Sequence, residues 1–116
     1  MKHSDMVKEL CKSGEDIKEE LTPKECHEMH MILGIAGESG ELVDAIKKYV
    51  IYRKPIDIGH VIEEMGDLEF YLEGLRQSLW IDRDDVLNAN IKKLKTRHGD
   101  FKYSDQAAIN RADKKD

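Results

Sequence analysis

The fold of this 116-residue chain is decided by two segments, Gly34-Ile-Ala-Gly-Glu-Ser-Gly-Glu-Leu-Val-Asp-Ala-Ile-Lys-Lys48 and Glu63-Glu-Met-Gly-Asp-Leu-Glu-Phe-Tyr-Leu72. Both have apolar residues at helical spacing, and each carries two carboxylates three residues apart. These are Glu38 with Glu41 in the first segment, and Glu64 with Asp67 in the second. On an α-helix, that spacing places both side chains on one side, about 60° apart around the axis. The two segments therefore predict two helices that each carry an acidic edge.

These acids border the apolar stripes of the predicted helices and do not lie opposite them. The first stripe contains Met31, Ile32, Ile35, Leu42, Val43, Ile46, Tyr49 and Val50, and the second contains Ile58, Val61, Met65, Leu68, Leu72, Leu75 and Leu79. If the stripes pack together, four carboxylates converge, and such a cluster is stable only with a cation because isolated buried carboxylates are costly. Oxygen-rich sites suit Mg²⁺ or Mn²⁺. The nearby Asp44, Glu63, Glu69 and Glu73 project away and are expected to be solvated.

Composition favours a single all-α domain over residues 1–116. The chain is 40% hydrophobic and 37% charged, with eight glycines, two prolines and almost no β-branched runs. Its net charge of −5 argues against general binding to nucleic acid or membranes. Cys11 and Cys26 form no CxxC motif, and the chain shows no signal peptide or long apolar run, so we expect a cytoplasmic protein with reduced thiols.

Capping residues and helix breakers predict a bundle of about four to five helices. Thr22, Pro23 and Glu25 form a capping box with proline at the first helical position. Ser4 is expected to cap a short first helix that Gly14 ends. The predicted helices cover residues 4–12, 22–52, 57–79 and 82–98, where Asp57 and Asp82 serve as caps and Gly99 as terminator, and a last short helix begins at Ser104. The motif-bearing core is about 22–101, and 104–116 is a peripheral tail.

The pairing of ExxE with ExxD resembles the all-α nucleoside triphosphate pyrophosphohydrolases, the superfamily of MazG, the dimeric dUTPases and phosphoribosyl-ATP pyrophosphatase. The sequences Gly37-Glu-Ser-Gly-Glu-Leu42 and Glu63-Glu-Met-Gly-Asp-Leu68 are most similar to the MazG branch, over roughly Met31 to Phe101. The resemblance implies cleavage of an NTP or dNTP to the monophosphate and pyrophosphate. It also implies Mg²⁺, with Mn²⁺ as a substitute, held by Glu38, Glu41, Glu64 and Asp67. Which of the four carboxylates acts as general base stays open, and Glu38 and Glu41 are the candidates.

The resemblance further assigns polyphosphate contacts to Asn90, Lys93 and Arg97. Their spacings of three and four put them on one helix face, and Lys and Arg suit phosphate oxygens. Without the resemblance, the alternative is that Lys93 and Arg97 only stabilise the C-terminus of their helix through its dipole. The resemblance also implies a homodimer or a dimer of dimers. Phe70, which points opposite the main stripe of its helix, is expected to meet the second subunit.

Two histidines precede Glu38 along the acidic edge and are candidates for contacts to the base. His27, His30 and Gly34 lie one to three turns before that glutamate. Either Gly34 leaves room for a flat base that an imidazole contacts, or it only permits close helix packing and the histidines are exposed. The preferred base and sugar stay open.

The rival interpretation is a non-catalytic helical interaction module whose acidic edge binds a cation. The carboxylates on both helices, together with Lys93 and Arg97, favour an enzyme. A di-iron bundle would require Glu-x-x-His pairs, which the sequence lacks.

Overall fold

A computed structural model describes residues 1–114, so residues 115 and 116 of the predicted tail lie outside the described residues. All regular secondary structure in the described range is helical, which confirms the all-α prediction. The helices are α1 (His3–Leu10), α2 (Gly14–Glu20), α3 (Pro23–Val50), α4 (Ile58–Ser78), α5 (Arg83–Arg97) and α6 (Asp105–Asn110), followed by a 3₁₀ turn at Ala112–Lys114.

The predicted side-chain caps of α3, α4 and α6 are confirmed, whereas Asp82, the N-cap residue of α5, makes no side-chain capping bond. Thr22 and Glu25 form a reciprocal capping box: Glu25 N donates to Thr22 Oγ1 (3.1 Å) and Thr22 N donates to Glu25 Oε1 (2.9 Å). The Asp57 carboxylate accepts from His60 N (3.0 Å) and the Ser104 hydroxyl accepts from the amide of Ala107 (3.1 Å). Each cap satisfies an amide that has no partner inside its helix, which is why these helices begin where the sequence predicts.

The N-terminal prediction is wrong in two respects. The N-cap of α1 is Lys2, which makes no side-chain capping bond, so Ser4 lies inside the helix. Gly14 begins α2, a helix that was not predicted, because the Ser13 hydroxyl accepts from the amide of Asp16 (3.3 Å) and so caps it.

Helices α3 and α4 form the one extensive helix pair among residues 1–114. Met31 is 5% exposed at their contact, and a Cβ atom on Gly74 would lie 2.4 Å from its sulfur, so a larger residue there would force the Met31 side chain to move. Two hydrogen bonds join the N-terminal part of α3 to the C-terminal part of α4. His27 Nε2 donates to the Gly74 carbonyl (3.3 Å), and Ser78 Oγ donates to Glu28 Oε2 (2.5 Å). The register of α3 against α4 is therefore set by both packing and hydrogen bonds.

A single chain covers only part of its apolar stripes. The following predicted core residues are at least 36% exposed: Ile32, Val43, Ile46, Tyr49, Val50, Ile58, Met65 and Leu79. An apolar cleft of about 670 Å³ runs along α3 between Leu42 and Ile51. The radius of gyration is 19.9 Å, whereas a compact chain of 100 residues has about 13 Å. Residues 1–114 of one chain therefore do not form a closed hydrophobic core.

The remaining helices pack little on this pair. Within the described residues, α1 and α2 make no extensive contact with another helix, and α5 packs on α6 and on the 3₁₀ turn. Glu73, expected to be solvated, instead accepts from Arg76 Nε (3.0 Å), whose side chain is only 12% exposed. Arg76 follows Glu73 by about one turn of α4, and its partly buried guanidinium needs a hydrogen-bond acceptor.

Candidate metal centre

The α3–α4 contact brings together three of the four predicted carboxylates. Glu38 comes from α3, and Glu64 and Asp67 come from α4; one oxygen of each lies within 4.8 Å of the others. Glu38 is half-buried, Glu64 is 9% exposed and Asp67 is exposed. Glu41 is exposed and does not belong to this group, so its role as a ligand stays a prediction.

The electrostatics of this group favour a bound cation. Burial raises the pKa of the Glu38 carboxyl, and the adjoining Glu64 carboxylate and the charge of Asp67 raise it further. The buried Glu64 Oε2 has no hydrogen-bond partner among the described residues. A buried oxygen without a partner is costly, and like charges this close repel. A hard divalent cation with oxygen ligands would relieve both costs, so the residues present fit Mg²⁺ or Mn²⁺.

His60 is a neighbour of the cluster that had no predicted role. Its Nε2 lies 3.8 Å from Glu64 Oε1, and its Nδ1 lies 3.8 Å from Glu63 Oε2. Both distances are too long for a hydrogen bond. The sequence could have indicated this proximity, because His60 and Glu64 are four residues apart and such residues are neighbours on one face of a helix.

An aromatic wall adjoins the acidic group. A cleft of about 330 Å³ is lined by Glu38, Asp67, Phe70 and Tyr71. The two aromatic rings meet edge to face, with centroids 5.2 Å apart, and Phe70 is 68% exposed. Phe70 therefore presents an open ring beside the carboxylates. Its expected contact with a second subunit stays a prediction.

For Gly34, the structure supports the packing alternative. A Cβ atom there would lie 2.3 Å from two ring carbons of Tyr71, so the Tyr71 ring occupies the space considered for a base. His30 meets the same ring edge-on, at 6.0 Å between centroids. Both His27 and His30 are exposed, but the Nε2 of His27 is engaged by the Gly74 carbonyl. His30 is thus the freer of the two imidazoles.

The predicted phosphate-binding residues lie on α5, which makes no extensive contact with α3 or α4 among the described residues. Asn90 is exposed, while Lys93 and Arg97 are half-buried. Because α5 packs on α6 and the 3₁₀ turn, the structure does not place these residues in the cleft beside Glu38. Arg97 is instead paired with Asp113 of the tail.

Comparison with known proteins identifies the class to which this site belongs. The family model described as the MazG nucleotide pyrophosphohydrolase domain matches residues 27–101, which include all three converging carboxylates. The chain therefore belongs to the MazG nucleotide pyrophosphohydrolase family, as the motif resemblance predicts. Searches of curated proteins and of solved structures find no match. Among the described helices, none combines the length and the apolar character that crossing a membrane requires.

Proposed function

We propose that the protein is a Mg²⁺-dependent nucleoside triphosphate pyrophosphohydrolase that converts an NTP or dNTP to the monophosphate and pyrophosphate. The observation that carries this proposal is the convergence of Glu38, Glu64 and Asp67 inside the region matched to the MazG family. The buried Glu64 oxygen without a partner supports a cation at this position.

The side chains divide the work as follows. Glu38, Glu64 and Asp67 hold the cation, and Glu41, one turn after Glu38, completes the ligand set. When bound, Mg²⁺ supplies positive charge that neutralises the phosphate oxygens and favours ionisation of water. Glu38 or Glu41 accepts the proton of the attacking water as general base. Asn90, Lys93 and Arg97 bind the polyphosphate, and the two cations stabilise the leaving pyrophosphate.

The aromatic wall is the proposed position of the nucleoside. Phe70 offers an exposed ring face next to the carboxylates, on which a base can stack. His30, whose ring meets Tyr71 edge-on, and His27, whose Nε2 donates to the Gly74 carbonyl, are proposed to contact the base or sugar. The cleft is open enough for a purine or a pyrimidine, so the preferred base is a matter for the assay.

The assay is a panel of NTPs and dNTPs incubated with the protein and Mg²⁺, with products identified by chromatography. We expect the monophosphate and pyrophosphate in equal amounts, and no turnover in EDTA. Release of a diphosphate with orthophosphate, or full turnover in EDTA, contradicts the proposed reaction.

We propose further that the active form is a homodimer or a dimer of dimers. The exposed apolar stripe of α3 and the large radius of gyration support an assembly, because a second copy can close the core that one chain leaves open. Among the described residues, α5 makes no extensive contact with α3 or α4, and this supports a shared site in which one subunit supplies the carboxylates and another supplies Lys93 and Arg97. Mixing Glu64→Gln subunits with Arg97→Ala subunits should then give more activity than the two variants give separately, and a shared site is excluded if mixing adds none while the subunits demonstrably exchange.

A further inference from the structure

The guanidinium of Arg97 is held by a carboxylate from the C-terminal turn of the same chain. Arg97 Nε donates to Asp113 Oδ1 (2.9 Å) and Nη2 donates to Oδ2 (3.3 Å). The Asp113 side chain is 6% exposed and the Arg97 side chain 18%. Two parallel bonds from a guanidinium to two oxygens are also the geometry in which arginine binds phosphate. Asp113 therefore occupies the donors that a phosphate would use.

The second cation of the predicted phosphate site also acts on this carboxylate. The hydrogen bonds from Arg97 hold the pKa of the Asp113 carboxyl below its usual value, and the charges of Arg97 and Lys93 lower the pKa further. Asp113 is therefore anionic at neutral pH. The charges of both Lys93 and Arg97, the two side chains that are proposed to bind pyrophosphate, act on the Asp113 carboxylate.

The backbone of the tail is arranged to make this contact. Helix α6 ends at Asn110, and Arg111 adopts a left-handed conformation, with φ 46° and ψ 58°. The amide of Lys114 then donates to the Arg111 carbonyl (2.8 Å), and the resulting turn packs on α5. A left-handed residue other than glycine is disfavoured, so contacts elsewhere must offset it. The turn lies outside residues 27–101, the part of the chain that the family model matches.

We propose that the turn Ala112–Lys114 is autoinhibitory: Asp113 occupies Arg97 in the free protein, and a polyphosphate must displace this carboxylate in order to bind. This rests on the proposed function, since Arg97 is the phosphate ligand in both. The affinity for polyphosphate is then reduced by the fraction of molecules in which Arg97 is free. A solvent-exposed ion pair would give a reduction of about two- to fivefold, and because the Asp113 side chain is 6% exposed this range is the lower limit.

The test measures binding of inorganic pyrophosphate by calorimetry, in parallel with KM and kcat for the best nucleotide of the panel. The variants are Asp113→Asn, a chain that ends at Arg111, Arg97→Ala and the double variant Arg97→Ala with Asp113→Asn. The matched control is Asp105→Asn, which makes the same charge change on α6, where Asp105 accepts from the Tyr103 hydroxyl and not from Arg97. Melting curves establish that each variant is folded.

Asp113→Asn and the shortened chain should bind pyrophosphate more tightly, by at least about two- to fivefold, and should lower KM by the same factor with kcat unchanged. Asp105→Asn should do neither, and Asp113→Asn should have no effect once Arg97 is alanine. One outcome would contradict the autoinhibition but support the phosphate site: Arg97→Ala weakens pyrophosphate binding, while Asp113→Asn binds pyrophosphate as Asp105→Asn does or more weakly. If wild type and Arg97→Ala bind pyrophosphate equally, or if neither binds it, Arg97 is not a phosphate ligand. The proposed autoinhibition is then wrong as well.

Discussion

Replacing Glu64 by glutamine tests whether the acidic group is a metal site or a chance cluster on a solvated surface. The substitution keeps the shape of a side chain that is 9% exposed and removes one charge from a group whose oxygens lie within 4.8 Å. Two unit charges 4.8 Å apart repel by about 0.9 kcal/mol in water and by about 3.5 kcal/mol at an effective dielectric constant of 20. Because Asp67 is exposed, the lower figure is the better guide for its repulsion with Glu64.

Without metal, Glu64→Gln should therefore be more stable than wild type by about 1 kcal/mol, which raises Tm by about 4 °C for a chain of this size. With Mg²⁺ the order should reverse. Mg²⁺ at 100 times its Kd stabilises a folded protein by about 2.7 kcal/mol through mass action, and the variant should lose most of this gain. Its turnover should be nearly abolished, because a neutral amide holds a divalent cation poorly.

The assay is thermal melting in EDTA and in Mg²⁺, with turnover measured on the same samples. The matched control is Glu63→Gln, since Glu63 is on the same helix and its side chain is 76% exposed. Glu73 is unsuitable, because its carboxylate accepts from the partly buried Arg76. An exposed substitution should change stability by less than about 0.5 kcal/mol under both conditions. The metal-site reasoning is refuted if the Glu64 and Glu63 variants melt alike in both buffers and both retain turnover.

Three further outcomes are expected. Arg97→Ala should lower kcat/KM with helicity retained, and unchanged kinetics in both Arg97→Ala and Lys93→Ala would reduce these cations to helix-end charges. Light scattering should give at least twice the 13.4 kDa chain mass, and Val43→Asp, which charges the exposed stripe of α3, should lower the mass; a fully active monomer at micromolar concentration contradicts the proposed assembly. Gly34→Ala should destabilise the α3–α4 pair by about 1–3 kcal/mol through overlap with the Tyr71 ring, whereas Gly66→Ala, whose Cβ meets nothing within 4 Å, should stabilise it by up to about 1 kcal/mol; equal melting temperatures for the two variants contradict the predicted packing.

The local features of this chain follow from its sequence because their causes are local. The capping box of Thr22 and Glu25 and the caps of Asp57 and Ser104 each depend on atoms within three residues of one another. The acidic edges follow from helical periodicity in the same way, and the motifs alone indicate the family that residues 27–101 match. Ser13, which caps α2 by the same chemistry, shows that a short local signal is also easily missed.

Only the tertiary structure decides which of these features meet. Helical spacing makes Glu38 and Glu41 equivalent, but the register of α3 on α4, held by Gly34 against Tyr71 and Gly74 against Met31, brings only Glu38 into the group with Glu64 and Asp67. The pairing of Arg97 with Asp113 likewise depends on the left-handed residue that turns the tail back onto α5. Contacts between residues far apart in the chain depend on the distances and angles between helices, and a periodic pattern within each helix restricts those quantities without specifying them.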